Sequence, residues 1–145
     1  MVEGLHYCHS KGIVHRDIKL DNLLLDDKGA VKICDFGVSK VLKDSKEIMT
    51  EQCGTPAYIA PEILKDKGYK GFGVDIWSLG VCLYAILYGT VPFKANNMSD
   101  LHQLILKAKY SLKDDKVEIS EEAKNLIKAL LEPEPKKRLT IEQVR

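Results

Sequence analysis

The sequence predicts a mainly α fold with one short β-hairpin, and three observations carry that prediction. The apolar run from Ile76 to Tyr88 is broken only by Ser78 and Gly80, which suits a buried helix. Two further stretches, opening at Ser99 and Ser120, repeat apolar residues at helical spacing. The apolar triplets 23–25 and 31–33 flank Asp26-Asp27-Lys28-Gly29, a turn sequence that joins two strands.

Taken in order, Val2, Leu5 and Cys8 recur at helical spacing and Gly12 supplies a stop, so the first helix is expected to end near Lys11. No Ser, Thr, Asp or Asn precedes Val2 as a cap, and Met1 is expected to lie inside a helix whose first turns are missing. The hairpin follows. The Ser99 helix should bury Leu101, Leu104, Ile105 and Ala108 on one face. The Ser120 helix should bury Ala123, Leu126, Ile127, Leu130 and Leu131, with Glu121 and Glu122 at its positive end, until Pro133 and Pro135 break the pattern. Thr140 and Gln143 form a T-x-x-Q capping box that Leu139 and Val144 could staple. The chain stops at Arg145 after little more than one turn, so this end too is expected to be cut within a helix.

A length of 145 residues suits one compact domain, and 45% apolar with 30% charged residues is a globular composition. With 22 basic against 21 acidic residues, the formal charge of +1 argues against a protein devoted to nucleic acid or to an anionic membrane. Cys8, Cys34, Cys53 and Cys82 make no paired ligand spacing, which disfavours zinc and suits reduced thiols. The longest apolar run falls short of the ~20 residues that span a bilayer. The N-terminus has no basic, apolar and small-residue succession of a signal peptide, so a cytoplasmic location is expected.

The chemistry is concentrated in His15-Arg16-Asp17-Ile18-Lys19-Leu20-Asp21-Asn22 and in Asp35-Phe36-Gly37. Asp35 alone in its tripeptide is a weak signal. Between Asp17 and Asp35 there is room only for the hairpin, and two more segments follow: Gly54-Thr55-Pro56-Ala57-Tyr58-Ile59-Ala60-Pro61-Glu62 and Asp75-Ile76-Trp77-Ser78-Leu79-Gly80. In this order the four segments resemble the protein kinase family: its catalytic loop, its metal-binding tripeptide, the end of its activation segment and the start of its central buried helix. The resemblance covers essentially the whole chain and implies that residues 1–145 are the C-terminal lobe of the kinase fold. Lys19 resembles the serine/threonine branch, and the chain as a whole looks like the calcium/calmodulin-dependent kinase group.

Phosphoryl transfer needs positioning and charge neutralisation more than covalent chemistry. The resemblance implies that Asp17 orients the substrate hydroxyl and takes its proton, that Lys19 reaches the terminal phosphate of ATP, and that Asn22 and Asp35 hold Mg2+. Leu24, with Leu23 and Leu25, would lie beneath the adenine. Thr55 would bridge Asp17 and Lys19, and Asp21 would meet a basic residue upstream of the phosphorylated one. Glu62 and Arg138 would form a buried ion pair, Asp75 would hold the catalytic loop through backbone N–H groups, and His15 and Phe36 would join the family's apolar column. Cys34 is expected to be a buried inert thiol.

Arg16 before Asp17 marks kinases switched by a phosphate in the activation segment. Relatives place the phosphorylated threonine where this chain has Glu51, with Thr50 beside it. Thr50 is the expected switch; the alternative has Glu51 standing in permanently. Expected partners are ATP, protein substrates and an upstream activating kinase, with neither nucleic acid nor membrane. The family's glycine-rich loop, strand lysine and helix glutamate do not occur in the chain and would belong upstream. The competing expectations are a non-catalytic binding module made of this lobe and a fragment from an incomplete gene model.

Overall fold

The computed structural model describes residues 1–44, 46–113 and 117–145. Helix α1 (Val2–Ser10) stops just before the Lys11-Gly12 pair, as its spacing predicts, and buries Leu5, Cys8 and His9. A two-residue strand β1 (Ile13–Val14) leads into the catalytic-loop motif, which ends in a short 3-10 turn over Leu20–Asn22.

The hairpin forms at the expected residues. Strand β2 (Leu23–Leu25) pairs antiparallel with β3 (Val31–Ile33), with Leu23 opposite Ile33 and Leu25 opposite Val31. Asp26 sets the turn, because its Oδ1 accepts from the Lys28 and Ala30 N–H groups at 3.0 and 2.8 Å. The Ala30 bond first, then the Lys28 bond and the Lys32 ammonium, hold its carboxyl below the usual carboxylate range.

Strand β4 (Lys40–Val41) returns to pair with β1, and β5 (Ile48–Met49) pairs with β6 (Tyr69–Lys70). Between the last two lie a 3-10 turn at Pro56–Tyr58 and the short helix α2 (Pro61–Leu64). These two-residue ladders fasten the loops to the helical body.

Helix α3 (Gly73–Tyr88) is the centre of that body and is buried along most of its length. Trp77 is fully buried and stacks on Phe93 at 5.6 Å between centroids, while the Arg138 guanidinium lies 5.1 Å from the Trp77 ring. Gly80 allows the closest helix approach: a Cβ there would sit 2.8 Å from Leu130 Cβ.

Helix α4 (Met98–Leu106) starts two residues earlier than Ser99 predicts. Asn97 is the cap, its side-chain oxygen accepting from the Asp100 N–H at 2.8 Å. Leu101 and Ile105 are buried as expected, whereas Ala108 lies beyond the helix in a left-handed conformation, φ 45°.

Helix α5 (Glu121–Leu130) is capped by Ser120 as predicted, the hydroxyl accepting from the Ala123 N–H at 3.2 Å. Ile127, Leu130 and the following Leu131 are buried; Leu126 instead faces out at 37% exposure, because the inward face is narrower than the apolar pattern. Helix α6 (Ile141–Val144) opens on the predicted box, with Gln143 Oε1 accepting from the Thr140 N–H at 2.8 Å. Among the described residues, no helix is long and apolar enough to cross a membrane.

Candidate active site

Asp75, in the first turn of buried α3, organises the site. Its Oδ2 accepts from the His15 N–H at 2.9 Å and its Oδ1 from the Arg16 N–H at 2.8 Å. A carboxylate accepting from two consecutive amides pins the backbone just before Asp17. Arg16 has φ 69°, a left-handed conformation unusual for a side chain of this size, and the Asp75 bonds are what hold it there.

His9 supplies a third contact to Asp75, its Nε2 lying 2.9 Å from Oδ2, and its ring stacks on Phe72. Because both residues are buried and the carboxylate only accepts, Nε2 carries the proton. The sequence gives no sign of this histidine: it lies 66 positions from Asp75, in a helix where its place reads as packing.

His15 is fully buried and links the Asp17 loop to the segment around Cys34. Its Nδ1 accepts from the Asp17 N–H at 3.2 Å, which leaves Nε2 to donate to the Cys34 carbonyl at 3.0 Å. Phe36 meets the His15 ring edge-on at 4.8 Å, so the expected pair of column residues is in contact. Phe36 is nonetheless 43% exposed.

Three side chains converge on Asp17. The Thr55 hydroxyl donates to Oδ1 at 2.8 Å and accepts from Lys19 Nζ at 2.9 Å; Lys19 Nζ lies 3.5 Å from Oδ2. Asn22 Nδ2 donates to the Asp17 carbonyl at 2.9 Å and to Oδ2 at 3.3 Å. One face of the carboxylate is thus fixed by Thr55, Lys19 and Asn22, and residues of two separate segments, 15–22 and 54–62, form a single constellation. Gly54 lets the segment pass: a Cβ there would lie 2.9 Å from the Arg16 carbonyl oxygen.

The donor set fits a hard divalent cation bound together with phosphate oxygens. The Asn22 amide nitrogen is committed to Asp17, so its carbonyl oxygen is the atom it offers. The Cys34 N–H donates to the Asn22 backbone carbonyl, not to its side-chain oxygen, at 2.9 Å, which brings the next residue, Asp35, near Asn22. Asp35 is exposed with φ 59°, and one of its carboxylate oxygens accepts from the Gly37 N–H at 3.2 Å. Among the described residues no group of three or more His, Cys, Asp and Glu could hold a metal. Two oxygen ligands suffice for magnesium, which keeps waters and takes phosphate oxygens.

Five expected residues lie outside this constellation. Leu24 and Leu25 are 54% and 72% exposed, so neither packs into the core. Asp21 is exposed on its 3-10 turn. Cys34 is half-buried, its thiol 3.4 Å from the Asn22 carbonyl. Thr50 is exposed, and it is Glu51 that meets Arg16, Oε2 accepting from Nη1 at 2.7 Å.

Glu62 and Arg138 form the bidentate pair that the sequence led us to expect, at 2.6 and 2.9 Å, both buried. Arg138 also donates to the Gly73 and Glu132 carbonyls at 2.8 Å each, so its guanidinium is well satisfied. Past Thr55, an open groove of about 620 Å3 runs between Pro56, Ala57, Phe93 and Leu101.

The family model described as the protein kinase domain matches residues 1–145. The chain belongs to the protein kinase family. It is 44% identical to CBL-interacting protein kinase 9 of rice (Oryza sativa subsp. japonica) over 99% of its length, and 44% identical to CBL-interacting serine/threonine-protein kinase 8 of Arabidopsis thaliana over 100%. A probable serine/threonine-protein kinase of Zea mays, CCRP1, is 42% identical over 99%. Two of these relatives are named as serine/threonine-protein kinases. The chain spans 31% and 32% of the rice and Arabidopsis kinases and 23% of the maize one, about a third or less of each relative.

Proposed function

We propose that the chain is the C-terminal lobe of a serine/threonine protein kinase, residues 1–145, and that it transfers the terminal phosphoryl group of ATP to protein substrates as part of a longer protein. The observation that carries this is the Asp17 constellation: a carboxylate held by Thr55, Lys19 and Asn22 on a loop pinned by Asp75.

In this reading Asp17 aligns the substrate hydroxyl and accepts its proton, worth about 10²- to 10⁴-fold in rate. Lys19 stabilises charge on the transferring group. Asn22 and Asp35 hold Mg2+ against the phosphates of ATP, and the bound ion neutralises the charge that builds up there. Leu24, Leu25, Val31 and Phe36 are exposed apolar residues on and beside the hairpin, which leaves them available to an adenine and to a second, nucleotide-gripping lobe. The isolated chain is therefore inactive. The groove beyond Thr55 suits the peptide past the phosphorylated residue, and Asp21 an upstream basic residue. Four free thiols suit a cytoplasmic setting.

The test is the complete protein assayed with magnesium, labelled ATP and mixed serine, threonine and tyrosine peptides. Label on serine or threonine, absent from the isolated chain, supports the proposal. Nucleotide-independent binding of peptide with no transfer would favour a non-catalytic binding module instead.

A further inference from the structure

We infer that a cavity beside the start of α3 is a binding site for a small neutral molecule, one with an apolar body and a single O–H or N–H donor that bonds to His9 Nδ1. The site is one hydrogen bond away from the Asp75 carboxylate that pins His15 and Arg16.

The cavity holds about 250 Å3 between the end of α1, the turn and first residues of α3, and the stretch 135–142 that leads into α6. Ile76 and Ile141 are buried in its walls, and Phe72 and Leu139 are half-buried there. An engineered apolar cavity of about 150 Å3 takes up benzene, so this larger space admits a substituted ring or a fused pair. The charged groups around it select no charge in the ligand. The Arg138 guanidinium is already committed to Glu62, Gly73 and Glu132, while Lys70 and Glu142, one of each sign, are exposed.

His9 gives the cavity its polar preference. Its side chain is 2% exposed, Nε2 faces Asp75 at 2.9 Å, and the ring stacks on Phe72 at 4.5 Å between centroids. Nδ1 is the remaining polar atom of the ring; it is buried and has no hydrogen-bond partner among the described residues. With the proton on Nε2, Nδ1 is an acceptor, and a buried acceptor left unpaired is unfavourable. A water entering here would meet largely apolar walls, whereas a buried water ordinarily makes about two to four hydrogen bonds. A phenol or an indole suits the space better, its ring covering Phe72, Ile76 and Ile141 while its one donor satisfies Nδ1. Because Nδ1 is shielded in this arrangement, a slight turn of the imidazole accompanies entry of the ligand.

The experiment titrates the complete protein, isotope-labelled at isoleucine methyls and histidine nitrogens, with phenol and with toluene, which share a shape and differ in the donor. Millimolar phenol is expected to move the Ile76 and Ile141 methyl signals and the His9 Nδ1 signal together, saturating as one site. If burial of the ring alone drove uptake, toluene, the more apolar of the two, would bind more tightly. A hydrogen bond to Nδ1 reverses that order, with phenol about 3- to 10-fold the tighter. The movements should be lost in Leu139→Trp, whose indole fills the space. Tighter binding of toluene, methyl shifts that leave His9 unmoved, binding retained in Leu139→Trp, or no shift with phenol would each overturn the inference. Should Leu139→Trp fail to fold, the order of the two probes in the unmodified protein decides the matter.

Discussion

The Thr55 hydroxyl is shared between Asp17 and Lys19, donating to the carboxylate at 2.8 Å and accepting from the ammonium at 2.9 Å. One small side chain therefore keeps a proton acceptor and a cation from collapsing onto each other, since their direct separation is 3.5 Å. Replacing Thr55 by Ala removes one charge-assisted bond on each side. The expected loss in kcat is about 10- to 100-fold, from the ~1.5–3 kcal/mol of a hydrogen bond to a charged group. Thr55→Ser keeps the hydroxyl and should retain most of the rate in the complete protein, a comparison that steady-state kinetics makes directly.

The Glu62–Arg138 pair ties the end of the segment to the loop before α6, and neither partner can reach water if the other is removed. Arg138→Ala should destabilise the folded protein by about 3–5 kcal/mol. Arg138→Lys should recover only part of this, because an ammonium cannot reproduce the bidentate contact or the bonds to Gly73 and Glu132. Urea unfolding of the complete protein, followed at Trp77, measures both.

The segment's resistance to acid has a definite direction. Glu51 and Glu47 both titrate below their ordinary value of 4.5, the first through Arg16 and the second through the Lys43 N–H and Lys40. A carboxylate depressed by folding adds stability above its unfolded value and loses it as pH falls through the folded one. Proteolytic nicking over residues 46–53 should thus stay flat from about pH 8 to 5 and rise only below about pH 4. A rise near pH 6 would point to a group other than these two.

The four thiols should separate by reactivity. Burial pushes the Cys82 thiol up to about 12, and burial followed by the charge of Asp75 raises that of Cys8. Both are buried, whereas Cys34 and Cys53 are half-exposed. Iodoacetamide at about pH 8 should label Cys34 and Cys53 first, with Cys8 and Cys82 modified only on unfolding, since the thiolate is the reacting form.

Local chemistry made much of this fold legible. The hairpin, the Ser120 cap and the Thr140 box each depend on residues within a few positions of one another, so turn and cap preferences locate them. Asn97 outcompeted Ser99 as a cap because its extended backbone, φ −145° and ψ 164°, aims the side chain at the Asp100 N–H. The periodicity around Leu126 counted an outward residue as inward, since it records polarity and not which neighbour arrives. Contacts made across long stretches of chain were beyond such signals: the β5–β6 ladder and His9 on Asp75 are two-residue or single-bond events between distant segments, and Glu51 opposite Arg16 was foreseen only as an alternative that family resemblance offered. The Thr55 bridge between Asp17 and Lys19 was anticipated only through family resemblance, because spacing alone gives no reason for position 55 to meet position 17, and the Asn22 bonds to Asp17 were not anticipated.

The proposed division of labour between the two acidic motifs is tested most directly by measuring kcat and Mg-ATP affinity for Asp17→Asn and Asp35→Asn in the complete protein. Asp17→Asn should lower kcat by about 10²- to 10⁴-fold and leave nucleotide affinity unchanged. Asp35→Asn should weaken magnesium-dependent nucleotide binding as well as turnover. Full turnover by Asp17→Asn, or nucleotide binding indifferent to magnesium in the unmodified protein, would contradict the proposed phosphoryl-transfer site.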